Sequence, residues 1–400
     1  MPGKQKLEEV VIVGAGPVGL TTAVSLTLSG IPVRLFEAQN ELPTDLRASS
    51  FHPPTLDLLS RFHIVDDLIA QGLPAPSWQF RDRETGPVAT FEMSLLKGDT
   101  EHPFRLQCEQ WKLARILKAL FEKLGGRIEF GARVADVSQD DTSATIELGG
   151  ERKGEKIRGR YIIAADGAYS VLRNAVRIPF EGFTYPELFL IVSTSHRFED
   201  DLPDLSNINY ISDPNEWLIM MHVPQFWRVN IPVSADGDQQ YYLSDENVQA
   251  MLRRVFHREA AYEIGHRSLY AVHQKVAQVF RSGRVILVGD SAHLNNPIGG
   301  MGMNGGIHDS FNLTEKLVRI FGGEGDELLD QYDRQRRTVT NEAVQQQTIR
   351  NHKILSERDP AVRKASLDEL RRTAEDPVLA REYLLKTSMI ASLRRAASIQ

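Results

Sequence analysis

Between an apolar, β-branched run at residues 10–13 and a helically spaced series, Leu20, Ala23, Val24 and Leu28, stands Gly14-Ala15-Gly16-Pro17-Val18-Gly19. No other segment restricts the fold of this chain as strongly. Gly14 permits a tight turn, Gly16 lets the backbone approach a pyrophosphate, and Gly19 lets a helix pack closely on a strand. Gly30 stands where a helix C-terminal cap belongs, and a second short strand, residues 33–36, ends in Glu37. A carboxylate there accepts hydrogen bonds from an adenosine ribose, while the pyrophosphate sits on the positive end of the helix. The segment is therefore a strand, helix, strand unit built around a dinucleotide. It does not choose between NAD and FAD. A second formal GxGxxG, Gly300 to Gly305, lies well beyond its strand and is followed by no strand-terminal acid, so no second dinucleotide fold is expected.

Further along, residues 53–70 and 109–124 have helical periodicity, the second stretch ending at Gly125-Gly126. Residues 127–137 and 144–148 predict a hairpin, and 161–165 another buried strand. From about 180 to 276 the character changes to short aromatic-rich strands (189–193, 217–223, 227–233) between Pro, Asp and Asn turns, the pattern of an antiparallel layer. A buried strand returns at 284–288, followed by a glycine-rich loop and a helix from about 305 to 321; from 326 onward the chain is charged, periodic and helical. The expected organisation is FAD- or NAD-binding segments at 1–75, 106–178 and 277–322, substrate-layer segments at 76–105 and 179–276, and a helical region at 323–400. The fold class is α/β: a Rossmann-like sheet with an inserted antiparallel sheet and a helical C-terminal region.

The balance of 47 Lys+Arg against 53 Asp+Glu, with the signs interspersed, argues against nucleic acid as a partner. A single cysteine, Cys108, excludes an intrachain disulfide, a CxxC redox pair and a cysteine-rich metal site, and no metal is expected. Redox chemistry would need an organic cofactor. No signal-like or membrane-spanning apolar run is read, so a cytoplasmic enzyme acting on a small molecule is the expectation.

Two further motifs follow buried strands: Asp166-Gly167-Ala168-Tyr169-Ser170-Val171-Leu172-Arg173, and Gly289-Asp290-Ser291-Ala292-His293 continuing through Pro297-Ile298-Gly299-Gly300-Met301-Gly302-Met303-Asn304. In this order and at these spacings the three motifs resemble the flavoprotein aromatic hydroxylases, over about residues 10–321. The resemblance implies FAD held by Gly14, Gly16, Pro17, Val18, Gly19, Glu37, Ala38, Arg47, Gln107, Val134, Asp166, Gly167, Asp290 and the loop residues Pro297, Gly300, Gly302, Met303 and Asn304. Glu37 would hold the adenosine ribose, Arg47 the pyrophosphate region, and Asp290 and Gln107 the ribityl chain. His293 and Pro297 would lie beside the flavin ring and substrate. The glycines of the loop also let N–H groups crowd one spot under a helix N-terminus, where a reduced flavin carries negative charge. The wording Gly299-Gly-Met-Gly-Met departs from the Gly-Gln-Gly common in the group, so the flavin-edge contacts are expected to vary from it.

By the same resemblance, NADPH or NADH reduces the flavin, O2 adds to give a C4a-hydroperoxide, and its distal oxygen passes to an electron-rich, phenolic ring. Alternatives are an FAD oxidoreductase acting elsewhere (a quinone-precursor hydroxylase, an epoxidase or a reductase) or a non-catalytic flavin-binding regulator. Tyr210, Trp217, His222 and Trp227, with Tyr270 and His273, are candidates to line the substrate pocket, although aromatic residues on such a sheet equally serve as core. The chain ends at residue 400, without the extra thioredoxin-like domain of the larger phenol and hydroxyphenylpropionate hydroxylases. Leu384-Leu385, Met389-Ile390 and Leu393 can pack on the protein's own body, on a partner in a homodimer, or on a membrane surface.

Overall fold

The computed structural model describes residues 7–44, 46, 48–202 and 204–400. The glycine motif joins strand Leu7–Val13 to helix Pro17–Leu28, and strand Val33–Phe36 follows. Val10, Val11 and Ile12 are fully buried because the strand is covered on both faces, as parallel strands are. It pairs in parallel with Val33–Phe36 on one side and Lys156–Ala164 on the other, and Val285–Leu287 adds beyond the latter. Ile128–Glu129 closes the opposite edge, and the hairpin of Val134–Gln139 and Ala144–Leu148 attaches to Lys156–Ala164 antiparallel. The chain leaves its first strand in opposite directions, so the crevice above Val13 and Ala164 is the topological switch point where α/β sheets bind ligands.

Helix Pro17–Leu28 packs on helix Gly302–Phe321 through small and hydroxyl side chains: Thr22 Oγ1 donates to Ser310 Oγ at 3.0 Å, and Ser25 Oγ to Thr314 Oγ1 at 2.9 Å. Helix Gly302–Phe321 begins three residues before the expected Gly305, its first turn made of loop glycine and Met303-Asn304. The helical pattern of 53–70 is two helices, Pro53–Ser60 and Val65–Ile69, broken where His63 takes φ 55°.

The second sheet runs His293–Leu294, Ile264–Ala277, Phe180–Thr194, Phe226–Ser234, Leu218–Val223, Ile208–Ser212, Ser77–Asp82, Gly86–Glu92. It is not wholly antiparallel as expected: Ile208–Ser212 and Ser77–Asp82 pair in parallel, because the latter belongs to a hairpin contributed from early in the chain. Strand alternation divides its side chains. Leu190, Val192, Leu218, Met220, Trp227 and Val229 pack against helix Asp245–Val255. Phe189, Tyr210, Trp217, Ile219 and Val272 face the other way, onto Ile298 of the glycine-rich loop and onto Leu355, Leu370, Tyr383 and Leu384 of the C-terminal helices. Leu384, Met389 and Ile390 are thus buried within the chain itself, and Arg381 and Arg394 fasten the end of the chain by bonding Asp99 at 2.6 and 2.8 Å. Among the described residues no helix is long and apolar enough to cross a membrane.

Candidate cofactor and substrate site

The three motifs meet at the switch point. Gly14 has φ +102°, and a Cβ there would lie 2.2 Å from the Ala165 carbonyl oxygen, so the turn and the strand end before Asp166 fit only with glycine. A Cβ on Gly19 would lie 1.9 Å from the Gly14 carbonyl oxygen, which explains the third glycine. Gly16 is different: a Cβ would meet nothing within 4 Å. Its lack of a side chain serves an open space, not internal packing. It caps helix Pro17–Leu28 with no side-chain bond, leaving the first-turn N–H groups and the helix dipole directed at that space. Val18 then packs under the third motif, where Cβ atoms on Gly289 and Gly306 would lie 3.1 and 2.6 Å from its Cγ2.

Glu37, at the end of its strand, accepts the Ala15 N–H at 2.8 Å and the Gln39 N–H at 2.9 Å, which fixes its carboxylate beside the glycine turn. Ala38 beyond it is exposed, and Val134 is buried in the core, so only main-chain atoms of Val134 can reach a ligand. Arg47 lies outside the described residues.

Asp166 accepts the Leu172 N–H at 3.2 Å through Oδ2, while its buried Oδ1 has no partner. Burial raises its carboxyl above the usual range, against the opposing bonds from Ser170 and Leu172. Gly167 follows with φ 79°. Arg173 ties this motif to the third: it donates to the Ser291 and Ala168 carbonyls at 2.9 and 3.0 Å and lies 3.8 Å over the Phe180 ring. Asp290 is exposed at the front of a tight turn, Gly289–Ser291, anchored behind by Ser291 Oγ donating to the Ala164 carbonyl at 2.6 Å.

Behind that turn is a buried group with no sequence signal of its own. Asp309 is fully buried and ties the third motif to the C-terminal helices: it accepts the Gly289 N–H at 3.0 Å, lies 2.7 Å from His293 Nε2, and accepts Arg336 Nε at 2.7 Å. Burial alone would raise its carboxyl; the charges of His293 and Arg336 outweigh this and hold it at about 2. His293 is therefore braced from behind, with its Cε1 3.2 Å from where a Cβ on Gly305 would lie and its Nδ1 buried and unpartnered. Arg336 comes from helix Glu327–Val339 in the part of the chain read only as a charged periodic region.

The loop from Pro297 is held from several sides. The Gly300 N–H donates to the Pro297 carbonyl at 2.9 Å, with Gly299 and Gly300 both at positive φ. Asn304 donates to the Ser50 and Gly300 carbonyls at 2.8 and 2.6 Å and accepts the His52 N–H at 2.9 Å, so its side chain is consumed in shaping the loop. Met301 caps the following helix without a side-chain bond, leaving the Gly302, Met303 and Asn304 N–H groups as the positive end. Gln107 accepts from Ser50 Oγ at 2.9 Å, and its buried Nε2 has no partner.

Of the substrate-layer candidates, Tyr210 and Trp217 lie on the face that meets Ile298. His222 and Trp227 do not join them. They stack on each other at 4.7 Å on the helix Asp245–Val255 side, and Trp227 Nε1 donates to Glu199 at 2.6 Å. Strand alternation, which a sequence without known register cannot orient, puts them on the far face. Tyr270 lies 5.9 Å from Phe189, and His273 Nδ1 is 2.8 Å from Thr184 Oγ1. Cys108 is buried with its thiol pushed up to about 12 by burial, which removes it as a nucleophile.

An FAD fits these residues. Open space beside Gly16, an uncapped helix end, and unpartnered buried polar atoms on Asp166 and Gln107 are the complement of a pyrophosphate and a polar chain.

A family model described as an FAD binding domain matches residues 8–347. Para-nitrophenol 4-monooxygenase of Pseudomonas sp. (strain WBC-3) is 32% identical over 392 residues, 95% of each chain. 6-Hydroxy-3-succinoylpyridine 3-monooxygenase of Pseudomonas putida is 32% identical over 362 residues, 88% of this chain and 90% of that one. The crystal structure of p-nitrophenol 4-monooxygenase from Pseudomonas putida DLL-E4 superposes with a TM-score of 0.91 at 28% identity, covering 98% of both chains.

Proposed function

The chain belongs to the FAD-binding-domain family, among the flavoprotein aromatic hydroxylases, and from that premise we propose that NADH or NADPH is its reductant and a monocyclic phenol or hydroxypyridine its substrate. It is an FAD-dependent aromatic monooxygenase. The observation that carries the finer reading is the placement of the Pro297–Gly300 loop between the positive end of helix Gly302–Phe321 and the aromatic face of the second sheet. The two p-nitrophenol and hydroxypyridine relatives match nearly their full length, which supports a one-ring substrate.

When bound, FAD supplies the redox and oxygen chemistry. The protein's own residues bind, orient and shield. Gly16 and the first turn of helix Pro17–Leu28 take the pyrophosphate, and Glu37 takes the adenosine ribose. Asp290 and Gln107 take the ribityl side, and the Asp166-Gly167 turn serves the FAD beside them. The N–H groups of Gly302, Met303 and Asn304 stabilise negative charge at the flavin pyrimidine edge. Ile298, buried with Trp217 and Ile219, keeps water from the reacting face. His293 is a positioning residue, locked through Nε2 by Asp309.

The test is to load the full chain with FAD and follow NADH and NADPH oxidation against nitrophenols, hydroxybenzoates and hydroxypyridines, with product analysis under 18O-labelled O2. One accelerating class whose product carries a labelled hydroxyl is expected. Acceleration that yields only hydrogen peroxide for every member would overturn the substrate assignment.

A further inference from the structure

Arg105 begins the short strand Arg105–Gln107 and is only 2% exposed, yet no carboxylate among the described residues lies within ion-pair distance of it. The other buried arginines are better satisfied: Arg173 donates to the Ser291 and Ala168 carbonyls at 2.9 and 3.0 Å, and Arg81 to Gln79 Oε1 and the Asp204 carbonyl at 2.9 Å each. Arg336 pairs with Asp309 at 2.7 Å, and Arg228 lies 3.7 Å from Glu109. Arg105 has two long contacts, Nη1 to the Tyr210 hydroxyl at 3.3 Å and Nη2 to the Thr387 carbonyl at 3.4 Å, and its Nε has no partner at all. A guanidinium taken out of water without a counter-charge costs several kcal/mol, so its retention calls for an anion that arrives with a ligand.

Its position says which ligand. Residues two apart on a strand share a face, so Arg105 points the same way as Gln107, whose partner Ser50 lies against Gly300. Arg105 also acts electrostatically on His52, which bonds the Gly299 carbonyl. At its other side the guanidinium lies 4.9 Å over the Trp78 ring, in the aromatic group of Tyr210 and Tyr383. Arg105 therefore spans from the flavin loop to the aromatic face of the second sheet. The hydroxyls of Tyr383 and of Ser388, which follows Thr387, are both buried without partners there. One cation and two unpaired donors among aromatic rings match an acceptor-only anionic group on an aromatic ligand.

We propose that Arg105 is the anion-recognition residue of the substrate site, selecting aromatic compounds that carry a carboxylate or phenolate group and holding that group at the C-terminal helix wall. The inference rests on the hydroxylase reading above.

The experiment uses the FAD-loaded full chain and reads ligand binding from perturbation of the bound flavin's visible absorbance, with FAD content measured on the same samples. The probes are 4-nitrophenol and 4-hydroxybenzoate, each against a neutral counterpart, 4-nitroanisole and 4-hydroxybenzamide. In the parent the anionic probes bind more tightly. Arg105→Met weakens them by at least about 30-fold and leaves the neutral ones within a few-fold, while Arg105→Lys recovers part of the loss. A second readout separates recognition from support: without ligand, Arg105→Met melts at or above the parent temperature, since an unpaired buried charge has been removed. Equal binding of anionic and neutral probes, unchanged binding in Arg105→Met, or a ligand-free melting temperature several degrees lower overturns the proposal while the hydroxylase reading stands. A chain that retains no FAD takes both down.

Discussion

Replacing Arg336 by Met keeps the length of the side chain and removes only its charge and its donors. The parent arginine is buried, donates Nε to Asp309 at 2.7 Å and Nη2 to the Gly305 carbonyl at 3.3 Å. Removing one member of a buried ion pair costs about 3–5 kcal/mol because the remaining charge is stranded. Asp309 would keep His293 and the Gly289 N–H, so the lower end, about 3 kcal/mol, is expected. Urea unfolding of the FAD-free full chain, extrapolated to water, measures it. The double variant Arg336→Met/Asp309→Asn should recover about 1.5 kcal/mol or more, since the stranded charge is gone. Acid adds a second signature. The Asp309 carboxyl is held at about 2 against an ordinary 3.8, so its stabilising contribution is complete above about pH 4 and is lost as the pH falls toward 2. In Arg336→Met the folded-state carboxyl rises, so this acid-linked loss becomes smaller. A single variant within about 0.5 kcal/mol of the parent, or a coupling near zero, would refute the assignment of Asp309 as the buried junction of the site.

The two glycines of the first motif should fail differently. Gly16→Val should leave the melting temperature of the FAD-free chain unchanged and weaken FAD binding by roughly 100-fold or more, read by fluorescence titration, whereas Gly14→Val should lower stability before any ligand is added. Trp227→Phe loses the bond to Glu199 and about 1 kcal/mol of stability, yet the KM for the aromatic substrate should not move, because Trp227 lies on the far face of the sheet. His308 is held neutral by burial, with its pKa lowered from 6.5 to about 3. An unfolded histidine takes up a proton below pH 6.5 and this one does not, so stability is full above 6.5 and falls as the pH drops toward 3. His308→Gln should remove up to about 2 kcal/mol of the difference in unfolding free energy between pH 7.5 and pH 5.

What could be read from the chain followed the range of the interactions responsible. Gly14, Gly16 and Gly19 are legible because a turn, a ligand approach and a helix–strand contact each demand glycine within a few residues. The strands around Val10–Val13 and Ile162–Ala164 are legible from continuous apolar runs. The break at His63 was not, since a left-handed non-glycine residue leaves no pattern in an otherwise helical stretch. His222 and Trp227 were grouped with Tyr210 and Trp217 because residue type does not say which face of a strand a side chain takes. Asp309 and Arg336 escaped notice for a related reason: each reads as an ordinary helix residue until tertiary packing brings them together. Arg105 carries no local sequence signal, since its burial depends on Thr387 and Tyr383, far along the chain.

The junction at Asp309 also bears on how the protein is made. Gly14 leaves the ribosome about 300 residues before Asp309, an interval of roughly 15–60 s at ordinary elongation rates of about 5–20 residues per second. Through that time the glycine turn lacks the Gly289 and Gly306 surfaces on which Val18 rests, and the second sheet has already been synthesised in between. Long-range closure of this kind is slow. Loading of FAD is therefore a late event in the life of the chain, and cells short of flavin should accumulate a nearly complete fold with an unfilled seam.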